Sequence, residues 1–500
     1  MYIQNFDTLY VISDLHMGGE TGFQIFNQGD RLRKFIGSLA DESGRIGLVV
    51  NGDIVDFLAE SPARYLDADG AIEKLKRIWT DPAFKPVLDA LQAFVQVPNR
   101  RLAFVLGNHD VELALPAVRD WLFDQLADGS TEARGRLISA MTGEGFSCSV
   151  GTKRVLCLHG NEVDGWNVVD YRALLNVSRA MARGEPLPEW DANAGTRMVI
   201  DVMNPLKAKY PFVDLLKPEI EASLPTMVAL EPSAIRKLGR VAMLFRRSEK
   251  DQQLIEKGFL GAEDEVTQRS ANGEQSLSEE EFLKQFLGAH FPGAGGADSD
   301  SDDVGNLLLG AQRDIDNKVD PKTEMPDDEF LGLGDWFRET VDSIRNKTPE
   351  YLRATLAKLL QGDETFAIDR QDTQYQEIDK IVGRDVDYVI TGHTHLARAL
   401  ERRHAGTYYL NTGTWIRLMQ LSPKTLDDPK AFAKVFKAMQ AGTIEALDKE
   451  KNPGTRDPLV SARPHVAVIR TDAAGTVGEL CEAGPDGRLT VREHGSLPHR

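Results

Sequence analysis

The stretch Val105-Leu106-Gly107-Asn108-His109-Asp110 sets the terms for the whole chain. Apolar residues run into a Gly-Asn-His-Asp turn. That is the pattern of a buried strand ending in a carboxamide, an imidazole and a carboxylate. The design recurs four more times. Tyr10-Val11-Ile12-Ser13 runs into Asp14-Leu15-His16, and Leu48-Val49-Val50 into Asn51-Gly52-Asp53. Val155-Leu156-Cys157-Leu158 runs into His159-Gly160-Asn161, and Tyr388-Val389-Ile390-Thr391 into Gly392-His393-Thr394-His395. Each run delivers ligand-type side chains at the C-terminal end of a strand, where α/β folds bind their ligands.

Between these runs the chain alternates with amphipathic segments. Apolar spacing of three and four predicts helices over Asp30 to Leu39, Ala71 to Trp79, Ala83 to Val97 and Pro116 to Leu126. The alternation defines an α/β core. After Asp164 the pattern becomes mainly helical and carries no further ligand motif until Tyr375. The expected organisation is a core split between 1–164 and 375–500, with a helical insertion or cap over 165–374. Within the insertion, 288–306 is Gly-, Ser- and Asp-rich and reads as a flexible loop. Pro429 to Leu447 reads as one helix with an interior Gly442.

Five hundred residues exceed one simple core. A formal charge of -18 argues against binding duplex nucleic acid, whose phosphates need a basic surface. It leaves room for a small phosphate-bearing substrate, because bound metal ions supply local positive charge. The cysteines Cys148, Cys157 and Cys481 make no disulfide framework and suit a reducing cytosol. The first residues show no basic or apolar leader pattern, and no apolar run reaches the ~18 residues of a membrane span. A cytoplasmic protein is expected. One basic amphipathic segment, 234–247, has the composition for peripheral membrane contact or for a cap helix packed on the core. Oligomeric state is not legible.

An Asp-x-His pair at a strand end places a carboxylate and an imidazole on one side. Such donors suit manganese foremost, and also zinc, iron, nickel or cobalt. Asp14, His16, Asp53, Asn108, His159, His393 and His395 together offer oxygen and nitrogen donors for two divalent ions, provided one carboxylate bridges. Two ions about 3.5–4 Å apart can clamp the attacking and departing oxygens of an in-line displacement at phosphorus, with a hydroxide between them as nucleophile. His109 adjoins a ligand but lies one residue too far along to point the same way. As an imidazolium it could serve as general acid.

These five blocks, in this order, resemble those of the calcineurin-like metallophosphoesterase superfamily. The resemblance implies a four-layer αββα sandwich, two mixed β-sheets flanked by helices, with the active site at the sheet edges. It implies that Asp14, His16, Asp53 and His395 hold one metal, and that Asp53, Asn108, His159 and His393 hold the other. It also implies that His109 is the catalytic histidine, with Asp110 orienting it. The activity implied is hydrolysis of a phosphate ester, with the cap selecting the substrate.

Ser13 to His16, His159-Gly160 and Gly392 to His395 are similar to the UDP-diacylglucosamine pyrophosphatase branch. His109 stands where that branch typically has Arg, and the insertion is far longer. A pyrophosphatase acting on a lipid-linked nucleotide is therefore an alternative, as are other phosphoesterases and a catalytically silent scaffold on the same fold. Asp56 offers either a carboxylate orienting a ligand imidazole or a helix cap. Asn161, Asp164 and Trp415 are candidate substrate-binding residues, each with a turn or core role as the plain reading.

Overall fold

The ligand-bearing runs become strands that are covered on both sides. In the computed structural model, which describes residues 4–217, 222–230, 348–360, 363–452, 458–473 and 475–497, they fall into two sheets. One has six strands in the order β1 (Gln4–Phe6), β6 (Phe146–Val150), β7 (Lys153–Cys157), β8 (Tyr388–Thr391), β10 (Tyr408–Thr412) and β9 (Ala397–Glu401). The other has seven, in the order β15 (Leu489–Leu497), β14 (Gly475–Ala483), β13 (His465–Asp472), β2 (Thr8–Ile12), β3 (Ile46–Asn51), β4 (Arg100–Val105) and β5 (Leu137–Ala140). The strands β2 to β5 run parallel, while β13 pairs antiparallel with both β2 and β14.

Alternate residues of each strand enter different cores. Leu9 and Val11 of β2, Val49 of β3 and Ala103 and Val105 of β4 face the second sheet, where they meet Val155, Cys157, Ile390 and Leu410. Tyr10, Ile12, Leu48, Val50, Leu102 and Phe104 face outward under the helices Gly29–Ala40, Ala71–Thr80, Lys85–Gln96 and Pro116–Ala127. On the far side, Val389, Leu400 and Tyr409 pack under the helix Thr373–Ile381. The layers are helix, sheet, sheet, helix: a mixed α/β sandwich. A strand covered on both faces has no polar side, so these runs read as continuous apolar stretches. All three cysteines are buried thiols, with Cys148 and Cys157 between the sheets.

A separate apolar cluster lies beside the sandwich. It joins Val202, Leu206 and Phe212 to Leu352 and Leu356, and both to Phe432, Phe436 and Met439 from the segment after the last ligand motif. The expected helix Pro429 to Leu447 is two helices, Pro429–Gln440 and Ile444–Asp448. Gly442 breaks it with φ +66°, and a side chain there would stand 2.7 Å from the Lys209 carbonyl. Thr443 then caps the second helix by accepting from the Ala446 N–H. The basic segment 234–247 and the Gly/Asp-rich stretch 288–306 lie outside the described residues. Among the described residues no helix is long and apolar enough to cross a membrane.

Candidate metal centre

Both sheets end at one edge, and the polar turns meet there. β2 leads to Asp14 and His16, β3 to Asp53, and β4 to Asn108 and His109. From the other sheet β7 leads to His159 and β8 to His393 and His395. The turns are tight. Asp14, His16, Asp53, His393 and His395 all take positive φ, between +45° and +72°. Gly52, at φ +86°, precedes Asp53, and a methyl group there would collide with the His159 ring.

The donor atoms face one another at short range. Nε2 of His16 lies 3.0 Å from Nε2 of His395, and 3.7 Å from Asp53 Oδ2. Asp14 Oδ1 is 3.5 Å from His395 Nε2 and 3.9 Å from His16 Nε2. Asp53 Oδ2 is also 3.2 Å from His159 Nε2. Asp14, His16 and His395 form one group whose atoms lie within 4.8 Å of one another, and Asp14, Asp53 and His159 form another. Asp14 is common to the two, and Asp53 also reaches both, because its Oδ2 lies near His16 as well as His159.

This donor set fits divalent cations. Burial would raise the carboxyls of Asp14 and Asp53, yet the surrounding imidazoles hold both below the usual carboxylate range. Burial lowers His395, the charge of Lys217 adds to that, and its pKa falls to about 4, so its ring is a neutral donor. Burial also works against the His159 proton, but the charge of Asp53 outweighs it and pushes the pKa up to about 10. The same charge would hold a cation in that proton's place. Oδ1 of Asn108 is buried and has no hydrogen-bond partner. A buried carbonyl oxygen without a partner, one residue before the His109 N–H that donates to Asp53, has the chemistry to ligate a cation.

Supporting groups fix the rings. Nδ1 of His159 lies 2.8 Å from the Asn51 carbonyl, so Nδ1 carries the proton and Nε2 faces Asp53. Asp56 divides its carboxylate. Oδ1 accepts from the N–H groups of Leu58 and Ala59, and Oδ2 lies 3.4 Å from His16 Nδ1 and 3.2 Å from His109 Nδ1. It is thus both a turn cap and an imidazole partner. The His109 contact is an ion pair rather than an aligned hydrogen bond. Burial works against charge on His109, but Asp56 and Asp53 raise it to about 9.

Four expected roles change. Asp110 does not orient His109. Its oxygens accept from Gly107 N–H at 2.7 Å and Ile54 N–H at 2.9 Å, which ties two ligand turns together. Trp415, expected at the substrate, lies in the core stacked on Phe35 at 6.2 Å, and is 0% exposed. Asn161 is fully buried and donates to the Asn167 carbonyl at 3.1 Å, so it shapes the turn rather than a substrate wall. Asp164 Oδ2 sits 2.7 Å from His393 Nε2, which makes it a partner of a candidate ligand. Two supporting residues had no sequence signal beyond a turn-rich stretch. Glu162 accepts from the His159 and Gly160 N–H groups, and Asn167 bonds both Asp164 and Asn108.

The two-sheet sandwich brings its strand ends together on buried His and Asp side chains that could hold metal ions. The family model for calcineurin-like phosphoesterase matches residues 8–199. Comparison with curated proteins gives no match. The matched range holds Asp14 through His159; His395 comes from beyond it and completes the cluster with Asp14 and His16, and the His393 ring lies 5.3 Å from that of His159.

Proposed function

We propose that the protein is a dinuclear metal-dependent phosphoester hydrolase. The observation that carries this reading is the convergence of buried Asp14, His16, Asp53, His159 and His395, whose donor atoms form groups lying within 4.8 Å of one another. Asp14, His16, Asp53 and His395 would hold one ion, and Asp53, Asn108, His159 and His393 the other. Two divalent ions, manganese foremost, supply Lewis-acid polarisation of the phosphoryl group and activation of water when bound.

The chain's own residues do the rest. His109 is the most open imidazole of the cluster, at 18% side-chain exposure, and its Nδ1 is taken by Asp56. Nε2 is left to face substrate. Because nearby carboxylates raise its pKa, His109 carries a proton at neutral pH and donates it to the departing oxygen. Asp56 holds the ring that donates.

We also propose that residues 165–374, with the helices of 423–448, form a cap that selects the substrate. This lobe reaches the loop after Asp56: Asn204 Nδ2 donates to the Leu58 carbonyl, and Tyr65 donates to Asp201. It also brings Lys207 near His109 and buried Lys217 near His395. Lys207 is paired with Asp214, and the charge of buried Lys217 favours, as a second reading, a substrate with a further anionic group, such as a diphosphate.

The test is hydrolysis of bis-p-nitrophenyl phosphate and p-nitrophenyl phosphate by EDTA-stripped protein, with manganese, zinc, nickel or magnesium restored. Metal-dependent turnover is expected, and the ratio of rates separates diester from monoester work. No turnover on these or on diphosphate esters, in protein shown to bind two ions, overturns the hydrolase reading.

A further inference from the structure

Two of the four donors proposed for the Asn108 side of the centre are tied to one short turn. Oδ1 of Asn167 lies 3.4 Å from Nδ2 of Asn108. Nδ2 of Asn167 donates to Asp164 Oδ2 at 2.7 Å, and the same oxygen lies 2.7 Å from Nε2 of His393. The turn is itself anchored. Asp164 Oδ1 accepts from the Trp166 N–H, and the Asn167 and Val168 N–H groups return to the Asp164 carbonyl. The Asn167 carbonyl accepts from Asn161.

The chemistry of these groups gives the chain a direction. A carboxylate only accepts, so Asp164 fixes which end of the Asn167 amide faces it: the NH2 end. That leaves the Asn167 oxygen for Asn108, so Asn108 must offer its NH2 there and turn its own oxygen into the centre. This is the oxygen that has no partner. Were Asn108 flipped, an NH2 group would face the cations and could not ligate. The same Asp164 oxygen holds the proton of His393 on Nε2, which leaves Nδ1 with a free lone pair. Among the described residues, the side chains of Asp164 and Asn167 make no bond to Asp14, His16 or His395.

We infer that Asp164 and Asn167 are positioning residues that set the donor atoms of Asn108 and His393, and so control the occupancy of one metal site without the other. The inference rests on the two-ion reading above. In this arrangement the turn that opens the insertion tunes one ion of the pair.

The experiment is stepwise manganese binding to EDTA-stripped full-length protein, by calorimetry and by electron paramagnetic resonance. Wild type should bind two ions and show the signal of a coupled pair. Asn167→Ala and Asp164→Ala should keep the first ion at wild-type affinity and bind the second about 10- to 100-fold more weakly, the usual cost of losing such partners. Their spectra should be those of isolated manganese. Asn167→Leu, similar in size but with neither an acceptor for Asn108 nor a donor for Asp164, should behave alike if the alanine variants fold poorly. Two ions at wild-type affinity with a coupled signal in these variants overturns the inference and leaves the two-ion reading intact. Equal weakening of both ions, in variants with wild-type circular dichroism, also overturns it. Fewer than two ions in wild type overturns the two-ion reading itself, and the inference falls with it.

Discussion

Asp56 places Oδ2 3.2 Å from Nδ1 of His109, across a turn rather than along one strand. The same oxygen is 3.4 Å from Nδ1 of His16, so one carboxylate serves a candidate ligand and the candidate acid together. Asp56→Asn removes the charge and keeps the size. Both a lower kcat and weaker metal binding are expected, each by roughly 10- to 100-fold. Measuring the two separately checks the shared role. A variant that loses only turnover would confine Asp56 to His109.

His109→Ala should leave the metal content unchanged, since none of the proposed ligands is lost. Turnover on an alkyl phosphate ester should fall about 100- to 10,000-fold, the range for loss of a general acid. With p-nitrophenolate, a good leaving group that needs little protonation, the loss should be much smaller. Metal analysis and paired kinetics on the two leaving groups check this. Equal losses on both would remove His109 from proton donation.

Trp415→Phe separates a core residue from a substrate wall. Its ring stacks on Phe35 and is sealed from solvent, while the backbone N–H of Trp415 donates to the Asp14 carbonyl at 3.2 Å. Removing part of a packed ring should lower Tm by about 2–4 °C and leave KM within about twofold. A raised KM at unchanged Tm would return Trp415 to the substrate.

His465, in β13, provides a pH test away from the metal centre. Burial, with Arg492 and Arg463 adding to it, lowers its pKa to about 4. In the unfolded chain an imidazole titrates near ~6.5, so between these values the unfolded state takes up a proton that the folded state refuses. The contribution of His465 is intact above ~6.5 and is lost as pH falls toward 4, by at most on the order of 3 kcal/mol. Urea melts at pH 7.5 and 5.0 should show a smaller acid loss in His465→Gln than in wild type. Equal losses would place the acid sensitivity elsewhere.

What the sequence made legible follows from its local physics. Each candidate ligand sits where an apolar run stops, because a strand buried on both faces cannot carry a charge until it reaches the sheet edge. The ligands were therefore readable one block at a time. Roles that depend on contacts across turns were not. Asp110 adjoins His109, yet its side chain folds back onto the amides of Gly107 and Ile54, and the partner of His109 comes from another strand end. Asn167 lies in a turn-rich stretch with no periodicity to mark it. The Pro429 to Leu447 pattern carried a helix through Gly442, where the positive φ breaks it and the approach of the Lys209 carbonyl leaves no room for a side chain.

The strained turns lead to a prediction about metal removal. Asp14, His16, Asp53, His393 and His395 all sit in the left-handed region, at roughly 1–2 kcal/mol each for a residue with a side chain. Hydrogen bonds offset part of this: the His393 N–H donates to Asp14, and the His109 N–H donates to Asp53 Oδ1 at 2.9 Å. Cations bound by the folded state alone would add about 2.7 kcal/mol at a hundred times their dissociation constant. EDTA-stripped protein should therefore melt lower. Its amide exchange should rise at 14–16, 52–53, 108–109 and 392–395, while β3 and β4 between the layers stay protected. Restored manganese should reverse both changes. In Asp53→Ala, which removes the carboxylate that reaches both donor groups, it should reverse neither. Full reversal in that variant would mean that the ions stabilise the fold from somewhere other than this edge.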